Sequence, residues 1–170
     1  VDFEEYETQL TARQGFRRGF IKETINRVRE QAKRKNNVRP KLVFPEARST
    51  KILRALKTIL EEDIIDPILV GYEDAVREKL AELEIDGFED IPIIHPSKHP
   101  KYAEYVNKYY DMRSRKGVLE AEAERVMADP YYFSAMMVRE GDADGLVSGA
   151  LRNYADCVKP ILQIIGADKG

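Results

Sequence analysis

Short apolar runs of strand length recur along this chain with helix-length amphipathic stretches between them, and that alternation restricts the fold more than any other feature. Lys41-Leu42-Val43-Phe44 reads as a buried strand stopped by Pro45. Ser49 or Thr50 can then cap a helix that carries Ile52, Leu53, Leu56, Ile59 and Leu60 at helical spacing. Pro67-Ile68-Leu69-Val70-Gly71 is a second strand, followed by a helix with Ala75, Val76, Leu80 and Leu83, and Ile91 to Ile94 is a third. Strands without polar alternation, linked by helices, predict an α/β fold with a parallel sheet sandwiched by helices.

From Pro100 the pattern turns helical for about forty residues. Tyr102, Tyr105, Val106, Tyr109 and Tyr110 fall on one side, and Gly117 makes a break. Further helices are expected over Glu120 to Met127 and Tyr131 to Glu140, the last ended by Gly141 in the way a left-handed C-terminal glycine ends a helix. Gly145 to Gly149 reads as a fourth strand and turn, and Asn153 to Ile165 as a final helix. The first 36 residues differ, being rich in Arg, Lys, Glu and Gln without proline, with Phe16, Phe20, Ile21, Ile25, Val28 and Ala32 at helical spacing. They form either a packed N-terminal helix or a connector from a preceding domain.

At 170 residues the chain can bury a substantial core, and 34% charged against 43% apolar residues describes a globular protein. A net charge of -2 gives no global attraction to nucleic acid or to an anionic membrane, so any anion site must come from local clustering. The single cysteine, Cys157, excludes an intrachain disulfide, and no apolar run approaches the roughly 20 residues that span a bilayer. Both features fit a cytoplasmic protein.

Four places invite a chemical reading. His95 and His99 lie in a proline-broken loop without neighbouring acidic or cysteine ligands, which points to a surface loop and not to a metal site. Cys157 has no histidine near it in sequence and reads as packing. The turn Gly145-Leu146-Val147-Ser148-Gly149-Ala150 follows a strand with small residues and precedes a helix, so it is either an anion site or a tight turn chosen for packing. Arg113, Arg115 and Lys116 before Gly117 form either a phosphate-binding cluster or a solvated helix end. Neither the G-x-G-x-x-G fingerprint nor a P-loop is present.

Taken in order, several segments resemble the phosphate acetyl/butyryltransferases: Val43-Phe44-Pro45-Glu46, Leu53-Arg54-Ala55, Pro67 to Gly71, Tyr110 to Gly117, Met136-Met137-Val138, Gly141 to Ala150, and Ala155-Asp156 through Pro160 to Ile165. The resemblance runs from about Lys41 to the end. It implies the first subdomain of a two-subdomain phosphotransacetylase-like fold, with the second subdomain and the family's catalytic serine, arginine and aspartate outside this chain. Of three arginines that the family places around coenzyme A and phosphate, Arg113 is retained, while Lys51 and Lys159 stand where the other two are expected. A lysine keeps the charge and loses the planar bidentate fork.

The loop Ala150-Leu151-Arg152-Asn153-Tyr154-Ala155-Asp156 and the stretch Tyr6 to Arg13 resemble the phosphotransacetylase-like domains fused behind bacterial malic enzymes. This resemblance implies a helical connector over residues 1–36 and a partial phosphotransacetylase-like domain over 37–170. The function it implies is an acetyl-CoA sensor that regulates a homo-oligomeric, NADP-dependent malic enzyme, with NADP, malate and a divalent metal bound by parent domains and no catalytic residue here. The rival is an active phosphate acetyltransferase. The expected binders of acetyl-CoA or phosphate are Lys51, Arg113, Gly145, Ser148, Gly149, Arg152 and Lys159. An oligomerisation module using Tyr102, Tyr105 and Tyr109 is a third, lesser reading.

Overall fold

In the computed structural model, residue 19, residues 22–30 and residues 38–166 are described. The chain divides into two units at Arg39 and Pro40. In the first, residues 22–30 are helical and Arg27 pairs with Glu23 at 2.7 Å. Ile25 and Val28 are its half-buried side chains, while Phe16, Phe20, Ile21, Ala32 and the stretch Tyr6 to Arg13 lie outside the described residues.

The second unit is built on four parallel strands: β1 (Lys41–Phe44), β2 (Asp66–Val70), β3 (Ile93–Ile94) and β4 (Gly145–Leu146), in the order β3-β2-β1-β4. Val43 lies opposite Ile68 on one side and Leu146 on the other. Six α-helices make the connections: α1 (Thr50–Glu61), α2 (Glu73–Glu82), α3 (Tyr102–Arg113), α4 (Glu120–Met127), α5 (Pro130–Arg139) and α6 (Tyr154–Ile164). Ser49 caps α1 by accepting from the Ile52 amide at 3.5 Å, and Asn153 caps α6 by accepting from the Asp156 amide at 3.0 Å. Each cap satisfies an amide that has no partner inside its helix.

Side chains alternate across the strands, so neighbouring residues feed opposite faces. Val43, Ile68 and Val70 join Tyr105, Tyr109, Met127, Phe133 and Met136 on the face covered by α3, α4 and α5. Phe44 and Leu69 join Leu53, Leu56, Val76 and Leu80 of α1 and α2 on the other. The tyrosine stripe of α3 is therefore core: Tyr105 is 0% exposed and Tyr109 3%.

Two strands are shorter than the sequence suggests. The Ile91 amide turns back to the Phe88 carbonyl and Pro92 has no N–H, so the third strand pairs only from Ile93. After Leu146 one more bond, from the Val147 amide to the Val43 carbonyl, continues the ladder before the backbone turns away. Among the described residues no helix is long and apolar enough to cross a membrane.

Candidate functional site

The chain runs outward from β1 through β2 to β3 and then returns to place β4 on the other side of β1. Connections therefore depart in opposite directions from the carboxyl ends of β1 and β4, and open parallel sheets take ligands in the crevice at such a reversal. The segments that meet there are the β1–α1 turn, the loop between β4 and α6, and the start of α5.

Glu46, two residues past the end of β1, is the hub. It is only 2% exposed. Its Oε2 accepts from the amides of Gly149 at 3.1 Å and Ala150 at 2.7 Å, and its Oε1 from those of Leu151 at 2.9 Å and Arg152 at 3.4 Å. The Tyr131 hydroxyl donates to Oε1 at 2.6 Å. Gly149, at φ 110°, adopts a conformation closed to most L side chains, and this lets successive amides curl toward one anion. Burial raises the Glu46 pKa, but the Tyr131 hydroxyl and the amides of Leu151, Ala150 and Gly149 outweigh it and hold the carboxyl below its ordinary value. Burial and the same bond push the Tyr131 phenol up, so it stays a donor.

Arg152 belongs to the same construction. Its guanidinium lies 4.0 Å from the Tyr131 ring centroid and pairs with Asp129 at 2.7 Å. Asp129 also caps α5 by accepting from the Tyr131 amide at 2.8 Å. Cys157, 6% exposed, donates from Sγ to the Arg152 carbonyl at 3.7 Å and is part of the packing under the loop.

The other expected binders come from several different elements. Lys51 is exposed in the first turn of α1, a position where a cation opposes the helix dipole and an anion is favoured. Ser148 is half-buried in the loop, and the Gly149 amide is committed to Glu46. Gly145 sits within β4, where an added Cβ would meet Leu42 Cδ2 at 3.0 Å, so its small size serves the packing of β4 on β1. Arg113 ends α3, half-buried, with Nε lacking a hydrogen-bond partner. Burial, Tyr109 and Asp129 push the Tyr132 phenol up to about 12, opposed by the charges of both Arg113 and Arg152. Lys159 is exposed on α6, beyond the loop.

Sequence reasoning passed over Glu46, Tyr131 and Asp129 as site-builders. The available signal was an ionisable residue directly after an apolar strand and Pro45, at the point where a parallel strand delivers side chains to the ligand edge.

The histidine loop is at the surface as expected, with Ser97, Lys98 and Pro100 exposed, but His95 and His99 are half-buried. The His99 ring packs 5.3 Å from Phe133 and 6.3 Å from Tyr105, and its Nδ1 accepts from the Lys101 amide at 3.2 Å. Asp142 draws this region together by accepting from Tyr105 and pairing with Lys101 at 2.5 Å. Aromatic contact across 34 residues is invisible to local periodicity. Among the described residues no group of three or more His, Cys, Asp or Glu could hold a metal ion.

Fold and site together define an open parallel α/β domain whose β1 and β4 carboxyl edge carries an internally braced loop with Arg152 held against it. The family described as Phosphate acetyl/butaryl transferase matches residues 23–170, and the chain belongs to that family. It is 37% identical over 141 residues to a phosphate acetyltransferase of Nitratidesulfovibrio vulgaris, covering 83% of this chain and 20% of that protein. It is 31% identical over 172 residues to an NAD-dependent malic enzyme of Rhizobium meliloti, covering 99% of this chain and 22% of that one. Among solved structures, the EutD phosphotransacetylase from Staphylococcus aureus superimposes with a TM-score of 0.75 at 31% identity, covering 87% of this chain and 43% of that chain. The chain thus spans less than half the length of each of these proteins.

Proposed function

We propose that this chain contributes the first half of a phosphate acetyltransferase-type site and holds the phosphate-bearing part of an acyl-CoA or acetyl phosphate at the carboxyl edge of β1 and β4. The observation that carries this reading is the braced loop at the switch point, with the Arg152 guanidinium held over the Tyr131 ring beside it. In acetyl transfer the thiol sulfur of coenzyme A bonds to the acetyl carbon, the carbon–oxygen bond to phosphate breaks, and the thiol proton passes to a base. The role of these residues is binding and orientation. Arg113 supplies a planar fork, whereas Lys51 and Lys159 act as point charges.

A second reading is favoured by one observation. The match to the malic enzyme runs over 99% of the chain, against 83% for the transferase of Nitratidesulfovibrio vulgaris. On this reading residues 1–36 connect to a catalytic malic enzyme domain, and acetyl-CoA bound at the same site biases a homo-oligomer by differential affinity for two states, typically about 1–3 kcal/mol. That relative is named as NAD-dependent, whereas the sequence resemblance implies NADP, so the assay below supplies each dinucleotide in turn.

The test is run on the full-length parent protein, with acetyl transfer from acetyl phosphate to coenzyme A assayed beside malate-dependent dinucleotide reduction, with and without acetyl-CoA. Transfer that falls at least about tenfold in Arg113→Ala supports the first reading. Malate oxidation suppressed by acetyl-CoA, without transfer, selects the second. A parent that binds neither acetyl-CoA nor phosphate sinks both.

A further inference from the structure

An anion-shaped hollow made of successive backbone amides is ordinarily a place for a phosphate. Here that hollow, over Gly149 to Arg152, is filled by a carboxylate from the chain itself. Glu46 reaches it across 103 to 106 residues of sequence, and Tyr131 joins from 85 residues away. One side chain thus ties the end of β1, the first turn of α5 and the approach to α6. A phosphate entering the same hollow would have to expel a buried carboxylate or sit beside it at like charge, both unfavourable.

We propose that Glu46 is the positioning residue of this site: by occupying the amide hollow it fixes the loop that presents Ser148 and Arg152, and it leaves an incoming phosphate to side-chain cations. The proposal rests on the acyl-CoA or acetyl phosphate reading above. Tyr131 is the link between the two halves of the device, since its hydroxyl faces Glu46 while its ring carries the Arg152 guanidinium at 4.0 Å. Asp129 holds the far side of that guanidinium at 2.7 Å. Loss of the Glu46 charge therefore unfastens the loop amides and Arg152 together. A Gln side chain at this position has one acceptor oxygen and an NH2 group that faces amide donors, so it cannot reproduce the arrangement.

The chain carries its own reporter. Cys157 is its only cysteine, is buried, and bonds to the Arg152 carbonyl, so its reaction rate with a thiol reagent reads the closure of this loop. The experiment compares the wild-type 170-residue chain with Glu46→Gln, Tyr131→Phe and a core variant away from the loop, Leu53→Ala. It measures thiol reaction rate and far-UV circular dichroism on this chain, and calorimetric affinity for acetyl-CoA and for inorganic phosphate on the same variants of the full-length parent protein.

The expected result for Glu46→Gln is native-like dichroism, a thiol rate raised about tenfold or more, and affinity lowered about tenfold or more, with Tyr131→Phe shifting both by about threefold. Leu53→Ala keeps wild-type affinity despite its lower stability, which separates positioning from general weakening. Should Glu46→Gln fail to fold, Tyr131→Phe carries the same two readouts. A thiol that stays protected in a folded variant overturns the proposal, because Glu46 then does not hold the loop. A released thiol with unchanged affinity also overturns it, because the loop is then no part of the ligand site. If the wild-type parent binds neither probe, the functional reading fails and the ligand half of the proposal fails with it, while the thiol rates still decide whether Glu46 fastens the loop.

Discussion

Gly149 shows how a single backbone conformation underlies the site. At φ 110° it lies where side chains are disfavoured, yet nothing stands within 4 Å of an added Cβ. Gly149→Ala therefore tests conformation alone, without a steric clash to confuse the result. The expected cost is about 1–3 kcal/mol, set by the strained backbone, and urea unfolding of the two proteins measures it. A loss below about 0.5 kcal/mol, the usual scatter of surface substitutions, would mean that the loop relaxes to another conformation without loss. Leu42 presents the contrasting case at Gly145, where the glycine answers to a neighbour's side chain and not to its own backbone.

At the scale of elements, periodicity located most of what the backbone does. Lys41–Phe44 is the expected first strand, Ser49 and Asn153 stand at helix caps, and Glu120–Met127 is helical as the pattern requires. These features are local, decided by residues within a turn or a strand of one another. The shortened third and fourth strands depend on which neighbour a backbone amide finds, and the histidine loop depends on an aromatic partner in another helix. Long-range pairing of that kind leaves no period in the sequence, and the bonds from Glu46 to amides more than 100 residues away are of the same kind. The loop ahead of α3 yields a prediction of its own. Burial and the Lys101 charge lower the His99 pKa from 6.5, opposed by Asp142, and its Nδ1 must be unprotonated to accept from the Lys101 amide. With the folded value below the unfolded one, the unfolded chain takes up the proton first as pH falls. The stability contributed by neutral His99 is whole above about pH 6.5 and is lost as the pH falls through the lowered folded value. The melting temperature of the wild type should therefore drop between about pH 7.5 and about pH 5.5, and His99→Gln should show a smaller drop. Equal slopes in calorimetry would assign the effect to other groups.

Across residues 40–166 the sheet separates two apolar clusters, with Val43 feeding one and Phe44 the other. The tyrosines are distributed unequally: Tyr105 and Tyr109 are buried in the first cluster, with Tyr102, Tyr110 and Tyr132 against it, and the second contains none. The chain has no tryptophan, so tyrosine fluorescence weights one face of the sheet while far-UV dichroism averages over all helices. Leu53, 0% exposed, lies in the tyrosine-free cluster, and Leu53→Ala should cost about 2–5 kcal/mol by leaving a cavity. If the sheet makes the unit cooperative, that loss reaches the tyrosines undiminished, and fluorescence and dichroism transitions move to lower temperature together by the same amount. A tyrosine transition that stays in place while the dichroism splits would instead make the two faces separate folding units. Cooperativity matters for the site because Glu46 follows β1 in the sheet layer and Tyr131 lies in α5, and their 2.6 Å bond survives only while both layers hold. A mutation on the α1 face should thus weaken the ligand edge only through global unfolding. Leu53→Ala is expected to retain native ligand affinity at temperatures below its lowered transition and to lose it across that transition.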